Sequence, residues 1–203
     1  MNTDLVVAGV GGSLRAHSRS FLALSHALKL ASEMGAGAVA LDLRTLALPM
    51  FDPDQQPDDR PPEVGAYLDT IRECKVLILA SPVYAGTVSG LVKNALDFCH
   101  DLRVPPGLSG RIVGLIAVGS GGGAATGTLA AMRDACRALG AWVEPRTVSA
   151  LEPAFGEDGT IFSPLVRDQI TVMMQHIMAA AKRQASPAAV PVGNGSKIGG
   201  ELL

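Results

Sequence analysis

LVVAGVGGSLRAHSRS, residues 5–20, sets an apolar run against a glycine cluster and then a row of hydroxyls. Residues 5–10 read as a short strand, and Phe21, Leu24, Leu28 and Ala31 recur at the three- and four-residue spacing of a helix face. A strand turning through glycines into a helix is the opening unit of a parallel α/β sheet. The first N–H groups of such a helix lack partners and its dipole favours an anion, so the stretch announces a phosphate. The common nucleotide spellings fail here. No Gly-Lys pair supports a P-loop, and the sixth position of GVGGSL is Leu14 where a dinucleotide fingerprint needs glycine. What remains is Ser13, Arg15, Ser18 and Ser20, short hydroxyl donors with one cation. That set suits a terminal phosphomonoester that is bound and kept, without Mg²⁺ or phosphoryl transfer. The same residues also allow a plainer reading, with Ser18 as an N-cap and Arg15 on the surface.

Outward from this stretch the pattern repeats. AVALDL (38–43), KVLILAS (75–81), RIVGLIAVG (111–119) and WVEPRTVSA (142–150) read as further strands. The runs at 75–81 and 111–119 are apolar without alternation, as strands buried on both faces should be. Helical periods fall between and after them, at about 62–74, 89–99, 125–139 and 164–183. The sequence therefore predicts a flavodoxin-like, doubly wound, five-stranded parallel sheet of order 2-1-3-4-5 with helices on both faces. It forms one domain, residues 1–185, followed by a Gly-, Pro- and Ser-rich segment, 186–203, that reads as a disordered tail. In such a sheet, ligands bind outside the carboxyl ends of the strands near the switch point. The loops after strands one, three and four are thus where function is expected.

Composition narrows the partners. Of 203 residues, 48% are apolar and 18% charged, with a net charge of −2 and an isoelectric point near 6.1. No basic excess argues for nucleic acid or an anionic membrane. The N-terminus has no basic region ahead of an apolar core and reads as no signal peptide, and no apolar run reaches membrane-spanning length. Cys74, Cys99 and Cys136 show no metal-ligand spacing and read as reduced, buried thiols of a cytoplasmic protein. His17, His26, His100 and His176 form no triad or metal set.

SPVYAGTVSGLVKNALD (81–97) follows strand three. Ser-Pro keeps the chain extended, Gly86 permits a turn, and Ser89-Gly90 opens the next helix. Backbone donors and acceptors beside the flat ring of Tyr84 suit the polar edge of a planar heterocycle. Lys93 and Asp97, taken alone, are an i,i+4 surface pair. GSGGGAATGT (119–128) follows strand four, and its glycines let backbone N–H groups approach a ligand closely.

Together these segments resemble the NAD(P)H-dependent FMN reductase family of flavodoxin-like flavoproteins, relatives of quinone, chromate and azo-dye reductases. GSLRAHS (12–18) is similar to that family's GSxRxxS phosphate loop, and LALPMFDPD (46–54) to its segment after strand two. SPVYAGTVSGLVKNALD is similar to its Pro-x-Tyr loop and following Gly-x-x-Lys-Asn-x-x-Asp helix. The resemblance implies bound FMN, with Ser13, Arg15, Ser18 and Ser20 on the phosphate. It implies Pro82, Val83, Tyr84, Ala85 and Gly86 along the flavin, and Ser120, Gly121, Gly122 and Gly123 at the pyrimidine end of the ring. Val83 and Ala85 stand where many members carry Glu and Asn, which removes side-chain contacts to ring or substrate.

The resemblance further implies that no catalytic acid, base or nucleophile is needed, because the flavin N5 carries the hydride from NAD(P)H to a small acceptor such as free flavin or a quinone. An open ring face where NAD(P)H and acceptor alternate implies a ping-pong scheme. A homodimer or homotetramer is expected, with Tyr84 and the helix at 89–99 at the interface, and the resemblance extends to a flavin-dependent monooxygenase as partner. The rival reading is a non-enzymatic FMN electron carrier, against which stand the small net charge and the 4% aromatic content. A dinucleotide-binding protein is a further rival, supported by Asp42 alone at the end of strand two.

Overall fold

The computed structural model describes residues 5–121, 123–156 and 158–185. Gly122 and the segment 186–203, expected as a tail, lie outside the described residues. Strands β1 (Val6–Gly11), β2 (Gly37–Asp42), β3 (Val76–Pro82), β4 (Ile112–Gly119) and β5 (Trp142–Val143) form a parallel sheet of order β2-β1-β3-β4-β5. A further strand, β6 (Val148–Leu151), also pairs with β4. The order is the expected 2-1-3-4-5, and one expectation needs correcting. The single fifth strand read over 142–150 is two pieces, β5 against Ile112–Val113 and β6 against Ile116–Gly119. Pro145 interrupts it, since proline has no N–H for the ladder. In the gap, the carboxylate of Glu144, 2% exposed, accepts from the Arg146 backbone N–H at 3.1 Å.

Helices α1 (Arg19–Glu33), α3 (Pro62–Glu73), α4 (Gly90–Phe98), α5 (Ala124–Ala138) and α6 (Pro164–Ala185) match the predicted periods closely. The short α2 (Leu43–Leu46) is additional, and four residues are too few for a periodic signal. Asp42, the residue favouring a dinucleotide, caps that turn by accepting from the Arg44 N–H at 2.9 Å.

Alternate residues of β3 and β4 feed two cores, as the unbroken apolar runs require. Leu77, Leu79, Val113 and Leu115 meet α3, α4 and α5 on one face. Ile78, Ile112 and Ile116 meet α1 and α6 on the other, where Met173, Met174, Ile177 and Met178 are core residues rather than an interface. The three cysteines are free and buried, and burial pushes Cys74 up to about 11 and both Cys99 and Cys136 up to about 12. The Tyr67 hydroxyl, held high by the same desolvation, donates to Ala95 O at 2.9 Å.

Two buried cations brace the connecting segments. Arg111, 3% exposed, donates to the carbonyls of Ile71, Arg72, Gly107 and Ser109, closing the C-terminal end of α3. Arg60 lies between the rings of Phe51 and Phe98, 4.8 and 5.0 Å from their centroids, and its Nε meets Asp101 Oδ2 at 2.5 Å. With Asn94, which donates to Pro49 O and accepts from Phe51 N–H, it fastens the segment after β2 onto α4. No helix among the described residues is long and apolar enough to cross a membrane.

Candidate functional site

The loop after β1 is fixed by its neighbours before any ligand is considered. Gly12 donates to Ala80 O at 2.9 Å, and its carbonyl accepts from Ser89 Oγ at 2.8 Å. Ser89 Oγ also caps α4 by accepting from Val92 N–H, and Ser89 N–H donates to Ser81 Oγ. Ser81 and Ser89 are both buried; the Ser89 hydroxyl ties the loop after β1 to the loop after β3, and the Ser81 hydroxyl holds Ser89 to the end of β3. A side chain at position 12 would place its Cβ 2.1 Å from Val92 Cγ2, which only glycine avoids.

From Gly12 the chain climbs to α1 through Ser13, Ser18 and Ser20, 5%, 7% and 2% exposed. Ser18 does cap the helix, accepting from Phe21 N–H at 3.2 Å, and its Oγ lies 3.0 Å from Ser20 Oγ. The cap does not exhaust the serine, because Ser13, Ser18 and Ser20 also line a small pocket of about 30 Å³. Arg15, Pro82, Val83 and Tyr84 line it too. Of the residues expected from sequence, these seven are brought together at the carboxyl ends of β1 and β3.

The structure adds four residues to this wall: His17, Arg19, Val118 and Glu152. Arg19 is the first residue of α1, and its spacing in the sequence does not show that its side chain reaches the pocket. Glu152 follows β6, so extending the carboxyl-end rule to the last strand would have found it.

The loop after β3 is a tight hairpin turn. Tyr84 N–H donates to Thr87 O, Thr87 N–H donates to Tyr84 O, and Ala85 and Gly86 stand at φ of 48° and 77°. Glycine takes that left-handed region freely, whereas alanine is strained in it. Asparagine also tolerates it. We expect Ala85→Gly to raise stability by about 1 kcal/mol, read from the urea midpoint, with Ala85→Val lowering it. Tyr84 is 44% exposed, with Leu14 and Leu91 beside it around a second, mostly apolar hollow.

Ser120, Gly121 and Gly123 are exposed at the end of β4, and Gly123, at φ 86°, opens α5. Together with Ala85 and Gly86 they stand outside the small pocket's wall. Lys93 and Asp97 form the surface pair expected of them, at 2.6 and 2.8 Å.

Every polar side chain of the pocket except Glu152 can offer a proton: three hydroxyls, two guanidiniums and an imidazole. The donor set fits a phosphomonoester, and Pro82, Val83 and Tyr84 supply an adjoining apolar edge.

Residues 5–155 match the family described as NADPH-dependent FMN reductase. A probable NADPH:quinone oxidoreductase 2 of Oryza sativa subsp. japonica is 27% identical over 195 residues, 91% of this chain and 93% of that protein. An NAD(P)H-dependent FMN reductase of Pseudomonas aeruginosa is 28% identical over 122 residues, 60% of this chain and 63% of that protein. Among solved structures, the flavoenzyme NAD(P)H:(acceptor) oxidoreductase FerB of Paracoccus denitrificans has the same fold, with a TM-score of 0.73 at 20% identity. That similarity covers 88% of this chain and 98% of that one. With the family match spanning most of the fold and the pocket's donors at the N-terminus of α1, this chain belongs to the NADPH-dependent FMN reductase family.

Proposed function

We propose that the chain is an NAD(P)H-dependent FMN reductase that delivers reducing equivalents to a small acceptor, a free flavin or a quinone. The observation that carries this is the pocket where three buried serine hydroxyls, Arg15 and Arg19 face the Pro82–Tyr84 segment. When bound, FMN supplies the hydride chemistry between NAD(P)H and the acceptor. The residues of the chain bind and orient. Ser13, Ser18 and Ser20 donate to the phosphate, and Arg15 balances its charge. Pro82, Val83, Tyr84, Ala85 and Gly86 position the ring edge. The backbone of Ser120, Gly121 and Gly123 approaches the pyrimidine end, where donors favour negative charge.

Leu14, Tyr84 and Leu91, around the hollow beside the pocket, support a homodimer or homotetramer built on this face. A cytoplasmic location and delivery of reduced flavin to a monooxygenase complete the proposal.

The purified protein should bind FMN and show flavin absorbance in the visible. Under anaerobic conditions that absorbance should bleach on mixing with NADPH or NADH. A protein that binds FMN but is reduced by neither would instead be an electron carrier of flavodoxin type. One that binds no FMN would overturn both readings.

A further inference from the structure

Glu152 is the one acidic group on the pocket wall among the described residues. It begins the turn that follows β6, and its two oxygens divide between the loop's cations. Oε1 lies 3.8 Å from Arg15 Nη1 and Oε2 lies 3.5 Å from Arg19 Nη1. The carboxylate therefore occupies the cations that a phosphate at Ser13, Ser18 and Ser20 would use. His17 lines the same pocket, and Asp158 lies in the adjoining hollow with His17 and Arg19.

We propose that Glu152 is a built-in competitor for the flavin phosphate and sets how tightly this chain holds FMN. The inference rests on the loop being the phosphate cradle. A phosphate dianion that enters shares Arg15 and Arg19 with an existing carboxylate, or turns it out toward water. With about a third of its side chain exposed, Glu152 has solvent to turn into. Either outcome weakens binding of the phosphate end and leaves the ring end untouched. Glu152 thus determines affinity and exchange, favouring a chain that releases its flavin over one that retains it.

The test is a flavin-fluorescence titration of wild type and Glu152→Gln with FMN and with riboflavin, which has the ring and ribityl chain but no phosphate. Glu152→Gln should bind FMN about fivefold more tightly, as expected for removing one like charge near contact distance in water. Its FMN should also dissociate more slowly, and riboflavin affinity should not change. Glu152→Ala should shift FMN in the same direction. Equal or weaker FMN binding by both variants would overturn the proposal. So would a matching change for riboflavin, which would make Glu152 a partner of the ribityl hydroxyls. A Ser18→Ala/Ser20→Ala control separates the two levels. If that control loses FMN while Glu152→Gln binds as wild type, this inference falls alone. If FMN binds wild type and the serine control equally, the cradle assignment falls and this inference with it.

Discussion

Ser18→Ala/Ser20→Ala weakens FMN binding about 100-fold or more and leaves riboflavin affinity unchanged. The two hydroxyls are almost fully buried at the N-terminus of α1, 3.0 Å apart, so neither can be replaced by water without a change in the helix. A hydrogen bond to a charged group contributes about 1.5–3 kcal/mol, and two lost together give a factor of that order. Ser18 also caps the helix, so the variant loses about 1 kcal/mol of stability independently of ligand. Comparing FMN with riboflavin separates the effects, because a damaged helix would weaken both. Parallel losses for the two flavins would place the phosphate somewhere other than this loop.

Asp101→Ala destabilises the fold by about 3–5 kcal/mol, the largest stability effect expected of a single substitution here. Arg60 and Asp101 have side chains only 3% and 9% exposed, and the guanidinium is enclosed by Phe51 and Phe98. Removing the carboxylate leaves a cation in an aromatic slot without a counter-charge. The double variant Arg60→Met/Asp101→Leu should recover most of the loss, since apolar side chains of similar volume fill such slots without desolvating a charge. Urea denaturation of the two variants beside wild type checks both statements. A double variant no more stable than Asp101→Ala would mean that the pair is needed for packing geometry and not merely for charge balance.

The legible parts of this fold were those whose physics is local. β3 and β4 announced themselves because burial on both faces leaves no polar position in Val76–Ala80 or Ile112–Val118. The glycine turn from β1 into α1 was legible because Ser18 stands where a helix N-cap is preferred, directly ahead of the periodic apolar residues of the helix. The break between β5 and β6 could have been suspected from Pro145, but a strand pattern extends across it on either side. The Arg60–Asp101 pair joins residues 41 positions apart and leaves no periodic trace. Glu152 and Arg19 face the pocket only once β6 lies beside β4 and α1 has packed on the sheet. Sequence spacing recorded each of them and could not show that they meet.

The enclosure of the three thiols bears on how the protein ages. Only the thiolate is readily attacked by peroxides, and with Cys74 near 11 and Cys99 and Cys136 near 12 almost none exists at neutral pH. Each sulfur is also closed off from diffusing oxidant. A catalyst that hands electrons to mobile acceptors stands beside whatever peroxide those acceptors generate. Its own sulfur chemistry is sealed inside the walls, so wear should fall first on exposed methionine, with Met50 at 80% exposure ahead of the cysteines.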